Sequence, residues 1–222
     1  MAGARVLEYR DTVLRSSDLD ILRGPCYLND QIIGFYFQYL ASSFDCDDLL
    51  LVPPSLSFWL AHTQDLDNQS VASMNFSNKE VIIFSVNDNE DFGGHDDGSH
   101  WSLLVMTGGA SSSTKPKSSS SSTRNNKKKK KEPTANKPKP SAASTAPPAF
   151  IESSSTPHQT NGYDCGLYVI AIARIICQWH ASNSKKKAEN WFPALEKHVN
   201  ASVQLTLRDE VMKLIEDLRI DD

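Results

Sequence analysis

The sequence predicts an α+β fold on three observations. Two short, largely apolar runs rich in β-branched residues lie near mid-chain, segments with helical apolar spacing flank them, and one compositional break interrupts the pattern. With 222 residues, 39% hydrophobic and 23% charged, the chain has material for one domain with a sizeable core.

Taken in order, Asn29 or Asp30 caps a first helix with Ile33, Tyr36, Phe37, Leu40 and Ala41 on its apolar face. Beyond Pro53-Pro54, Ser55 caps a shorter helix with Leu56, Trp59 and Leu60 along one side. Residues 81–86 form a buried strand, residues 87–99 a polar loop, and residues 100–107 a second strand. Cys165 opens a long helix that buries Tyr168, Ala171, Ile172, Ile175, Ile176 and Trp179. A last helix starts at Thr206, with Asp209 three residues on as in a capping box, and buries Leu207, Val211, Leu214, Ile215 and Leu218.

Residues 108–149 are the break. Nothing in this Ser/Lys/Pro-rich stretch is aromatic, Leu, Ile or Val, so it cannot bury enough surface to offset its ordering entropy and is expected to be disordered. The expected organisation is therefore one domain in two parts, 1–107 and 150–222, with residues 150–151 as a strand remnant. The run 127–131 is either a nuclear import patch or a solvated charge run.

Charge is unevenly spread. Of 23 Lys/Arg and 27 Asp/Glu, ten basic residues and one acid fall within 107–149, so the remainder holds 13 basic against 26 acidic residues. A body this acidic favours a partner presenting positive charge and argues against nucleic acid. The first ten residues contain no continuous apolar segment, and the longest apolar run, 167–173, is far short of the ~20 residues that span a bilayer. An intracellular protein, cytoplasmic or nuclear, with no membrane partner is expected. None of the four cysteines lies in a C-x-x-C pair or at zinc-ligand spacing, so neither metal nor cofactor is implied. Cys26, Cys46 and Cys177 are expected to be small buried apolar residues.

Cys165 is different. It follows a turn-forming run, Thr160-Asn161-Gly162-Tyr163-Asp164, and starts a helix, where the positive end of the helix dipole favours the nucleophilic thiolate. Gly166 would let a substrate backbone come close. His100, at the start of a strand and beside Trp101, suits a general base, although from the residues alone a lone histidine is more often structural. Gln159 could donate its side-chain amide to a developing oxyanion, although from the residues alone a solvated loop glutamine is the preferred reading.

The strings Leu28-Asn29-Asp30, Val86-Asn87-Asp88-Asn89, His100-Trp101-Ser102-Leu103-Leu104-Val105 and Gln159-x-Asn161-x-Tyr163-Asp164-Cys165-Gly166 occur in that order. Together they resemble the sentrin-specific, Ulp-type proteases, and most of all the small branch that acts on the neddylation modifier. The resemblance covers nearly all of the chain except 108–149. It implies a papain-related (adenain/Ulp-like) fold, with a central sheet and the nucleophile-bearing helix packed on it. It assigns Cys165 as nucleophile, His100 as base and Gln159 as oxyanion donor. By the same resemblance Trp101 covers a passage for the modifier's Gly-Gly tail, Tyr27 stands as an aromatic wall where the family often has Trp, and Asp30 and the loop 87–99, with Asn87 and Asn89, contact the modifier. The arginine carried by such tails agrees with the acidic body. A monomer is expected.

The chain departs from the family after the histidine, where the family's next strand and helix also have no counterpart. Relatives carry an aspartate shortly after the histidine, but between Trp101 and Tyr163 the only acids here are Glu132 and Glu152. In a Ser triad that loss costs about 10⁴-fold in kcat, whereas a thiolate–imidazolium pair depends on it less. Three readings stay open at this stage: a deneddylating protease impaired to some degree, a modifier-binding protein without activity, and a protease for a sentrin-type modifier.

Overall fold

The computed structural model describes residues 3–63, 74, 76–89, 100–107, 157, 159–183 and 191–220, which all belong to one compact unit. The expectations for 108–149 and 150–151, the import patch, Glu132, Glu152 and residues 90–99 of the loop lie outside the described residues.

The chain opens with an antiparallel hairpin, β1 (Arg5–Tyr9) and β2 (Thr12–Arg15), turned at Arg10, whose φ is 52°. Strands are therefore not confined to mid-chain. Helix α1 (Ser16–Arg23) follows directly, and its buried Asp18 accepts hydrogen bonds from the Arg15 amide (2.7 Å) and from Asn29 Nδ2 (2.8 Å). Asn29 in turn caps α2 (Asp30–Phe44) by accepting from the Ile32 amide at 3.0 Å. Of the two candidate caps, Asn29 is the one used.

A three-stranded sheet holds the middle of the unit, in the order β3 (Leu49–Val52), β4 (Val81–Asn87), β5 (Trp101–Thr107). β3 runs parallel to β4, and helix α3 (Pro54–His62) follows β3 in the chain. β5 is antiparallel to β4, with Asn87 opposite Trp101 and Val81 opposite Thr107. Ser55 does not cap α3: Pro53 precedes the helix, Pro54 opens it, and the buried positions are Pro54 and Ser57, with Trp59 39% exposed.

Helix α4 (Cys165–Asn183) packs against α2 and β5 and supplies much of the core, including Leu167, Ile170, Ala173, Ile176 and Cys177. By length and composition its window Cys165–Ser182 could cross a membrane, but 67% of it is buried inside the protein, as suits a core helix. Because β5 lies before residues 108–156 and α4 after them, both flanks share one core. Two more helices close the chain, α5 (Phe192–His198) and α6 (Ser202–Ile220). α6 starts four residues before Thr206, whose hydroxyl donates back to the Ser202 carbonyl at 3.3 Å in the helix interior.

Candidate active site

Cys165 lies at the first position of α4 and is 3% exposed. Its sulfur accepts a hydrogen bond from the Trp101 backbone amide at 3.4 Å. The Cα of His100 is two covalent bonds from that nitrogen, so it stands within about 6 Å of the sulfur. Residues 100 and 165 are thus side by side, although far apart in sequence. The bond to the sulfur comes from the Trp101 amide and not from the His100 ring.

His100 is held by its backbone. Its carbonyl accepts from the Asp88 amide (3.2 Å) and from Asn87 Nδ2 (3.3 Å), and its amide donates to Asp88 Oδ1 (2.8 Å). Asn87 Oδ1 also accepts from the Asn89 amide at 2.9 Å. The end of β4 and the start of β5 therefore fix the position from which the imidazole projects. Asp88, expected only as part of the polar loop, thus anchors the backbone of His100 at both its amide and its carbonyl.

Trp101 has a second attachment, its indole Nε1 donating to the Leu28 carbonyl at 2.7 Å. Beside it runs a groove of about 1010 Å³, whose lining includes Tyr27, Asp30, Asn87, Asn89 and Trp101. Five of the six residues expected at the substrate are thus brought together. The groove also takes in Phe58, Trp59, His62 and Phe84, which periodicity assigned to no site. Gly166 is the sixth, and it faces inward. A β-carbon on it would lie 2.8 Å from Leu28 Cβ and 3.2 Å from Leu28 Cγ, so the missing side chain allows close packing of α4 on Leu28.

The turn before Cys165 is tied down by its own side chains. Asn161 Oδ1 accepts from the Tyr163 and Asp164 amides (3.1 and 3.0 Å), and Asn161 Nδ2 donates to Asp164 Oδ2 at 2.6 Å. Gln159 is partly buried just ahead of this turn, and Thr160 Oγ1 bonds Gln204 Oε1 of α6 at 2.7 Å. Cys26 is exposed, in the segment joining α1 to α2, and Cys46 is intermediate; only Cys177 is the packed small residue expected of all three.

Among the described residues one group could offer three metal donors within 4.8 Å of one another: Asp48, Glu80 and His180. It lies at the other end of α4, where buried His180 Nε2 already pairs with Asp48 Oδ1 at 2.9 Å, a bond that ties the last turn of α4 to the start of β3.

A thiol at the head of a sheet-backed core helix, next to a histidine at a strand start, defines a cysteine peptidase of the papain-related type. Residues 53–211 match the Ulp1 protease family, C-terminal catalytic domain, and the chain belongs to that family. It is 36% identical to NEDD8-specific protease 1 of Arabidopsis thaliana, over 96% of this chain and 93% of that protein. It is 34% identical to sentrin-specific protease 8 of Rattus norvegicus, over 78% of this chain and 79% of that one. The C-terminal Ulp1 protease domain solved by X-ray in complex with Smt3, the yeast ortholog of SUMO, shares the fold with a TM-score of 0.53 at 14% identity, covering 98% of this chain and 89% of that chain.

Proposed function

We propose that this protein cleaves after the Gly-Gly tail of a neddylation-type modifier, both maturing its precursor and releasing it from conjugates. The observation that carries the reading is the bond between the Trp101 amide and the Cys165 sulfur, because it brings the backbone at residue 100 near the thiol while Trp101 itself lines the groove. The name of the Arabidopsis relative, NEDD8-specific protease 1, favours the neddylation branch, and that of the rat relative, sentrin-specific protease 8, keeps the sentrin-type substrate as the alternative to test.

The chemistry follows from the roles that these positions suit. The Cys165 sulfur, its proton passed to His100, adds to the carbonyl carbon of the terminal glycine, and the Gln159 amide donates to the oxyanion. The carbon–nitrogen bond then breaks, His100 returns the proton to the departing amine, and a thioester remains. Water, deprotonated by His100, attacks the thioester, the carbon–sulfur bond breaks, and the thiol is restored with a free carboxylate on the modifier. Tyr27 and Trp101 supply apolar walls for the tail, and Asp30, Asn87 and Asn89 supply polar contacts.

A neddylation-type modifier carrying a C-terminal electrophile is expected to label the protein, with Cys165→Ala abolishing the adduct and Cys177→Ala leaving it. No adduct on folded protein refutes the reading. Cleavage of both precursors side by side separates the neddylation-type from the sentrin-type substrate. The lack of an aspartate between Trp101 and Tyr163 favours a second reading, modifier binding without turnover; measurable affinity with no hydrolysis of a fluorogenic modifier substrate is its signature.

A further inference from the structure

Arg208, on α6, reaches back to three separate parts of the chain. Its Nη2 donates to Asp164 Oδ1 and to the Cys26 carbonyl, each at 2.7 Å, and its Nη1 donates to the Ile21 carbonyl at 2.9 Å. The guanidinium carbon is 5.7 Å from the centroid of the Tyr163 ring. The Arg208 and Asp164 side chains are only 13% and 3% exposed.

Asp164 precedes α4, and its backbone carbonyl accepts from the Leu167 and Tyr168 amides. At that position an aspartate carboxylate ordinarily turns onto the amides of the first turn. Here both carboxylate oxygens are taken, one by Asn161 and the other by Arg208. A negative charge next to the thiol is thereby neutralised and drawn off the helix end whose positive field favours a thiolate. The same guanidinium holds the carbonyl of Cys26, whose neighbour Tyr27 lines the groove.

We propose that Arg208 is a positioning residue for this site, one cation that keeps the Asp164 carboxylate away from Cys165 and fixes the groove wall at Cys26–Tyr27. Its effect on turnover rests on the function proposed above. Its effect on the thiol does not, since iodoacetamide alkylation of Cys165, followed by peptide mass spectrometry, needs no modifier.

In the full chain, Arg208→Met is expected to slow Cys165 alkylation at pH 7 about tenfold. Adding Asp164→Asn removes the freed charge and returns alkylation to within about threefold of the parent. That double variant still lacks the donor for the Ile21 and Cys26 carbonyls, so its KM for a modifier-derived substrate stays about tenfold raised, with kcat little changed. A single variant that melts lower with unchanged alkylation overturns the proposal, as does a double variant that alkylates as slowly as the single one. Should Arg208→Met fail to fold, the double variant decides alone. Parent-like alkylation with raised KM supports the clamp, and slow alkylation or unchanged KM refutes it.

Discussion

Gly166→Ala tests the packing of the nucleophile helix most directly. An added Cβ meets Leu28 Cβ at 2.8 Å, Cγ at 3.2 Å and Cδ1 at 3.4 Å, and Leu28 is itself 1% exposed. Leu28 has no easy retreat. Its carbonyl accepts the Trp101 indole N–H, and the next residue, Asn29, caps α2. Overpacking of this kind costs about 1–3 kcal/mol. Replacing a helical glycine by alanine returns at most about 1 kcal/mol of helix propensity. The net expectation is a loss of about 1–2 kcal/mol, or about 2–8 °C in melting temperature for a chain of this size. Thermal melts followed by circular dichroism measure it. Because the nearest atom is the β-carbon of Leu28, Leu28→Ala should not rescue the variant. A melting temperature that stays level or rises on Gly166→Ala would refute the argument, since a glycine facing open space would behave that way.

Two further outcomes are expected. The hydrogen bond from Arg174 holds the Glu210 carboxyl below its ordinary range, so its stabilisation is present above the unfolded carboxyl pKa of about 4.3 and is lost as pH falls through the folded value. With Glu210 48% exposed, Glu210→Gln should cost less than about 1 kcal/mol at pH 7, and melts at pH 3 should show the gap closed; a gap that widens in acid contradicts this. Burial, helped by neighbouring Cys46, pushes the Cys177 thiol up to about 12. Iodoacetamide at pH 8 should therefore modify exposed Cys26 and leave Cys177 intact until the protein is denatured, and equal labelling of the two by mass spectrometry would contradict it.

Much of the fold was legible where periodicity and burial agree. The β-branched runs became β4 and β5, and the cysteine helix starts where the turn-forming residues end. Elements with mixed composition escaped: Arg5–Tyr9 carries charges at both ends of its apolar centre, and α5 has only seven residues. For α2 the helical stripe was too narrow. Ile32 and Phe35 are buried as well as Ile33, Tyr36 and Phe37, while Ala41 is exposed, because β2, β3, α3 and α4 all pack against this helix. In α6 a threonine followed by an aspartate imitated a start signal inside a helix that begins at Ser202, next to the Asn200 side chain. At the candidate site, Cys165 stood out because it opens α4, and His100 because it directly precedes β5. The packing of Gly166 on Leu28 was not legible, because a bare α-carbon looks the same in sequence whatever it faces. Arg208 could not be found, since one arginine on an amphipathic helix gives no sign of the carbonyls it reaches.

The sulfur and its histidine neighbour come from opposite sides of residues 108–156, and β5 and α4 meet only by docking. During synthesis the ribosome releases the half bearing His100 long before the half bearing Cys165. Until the second half arrives, His100 has no Cys165 to meet. Their proximity is thus acquired late, as a property of closure between distant parts of the chain.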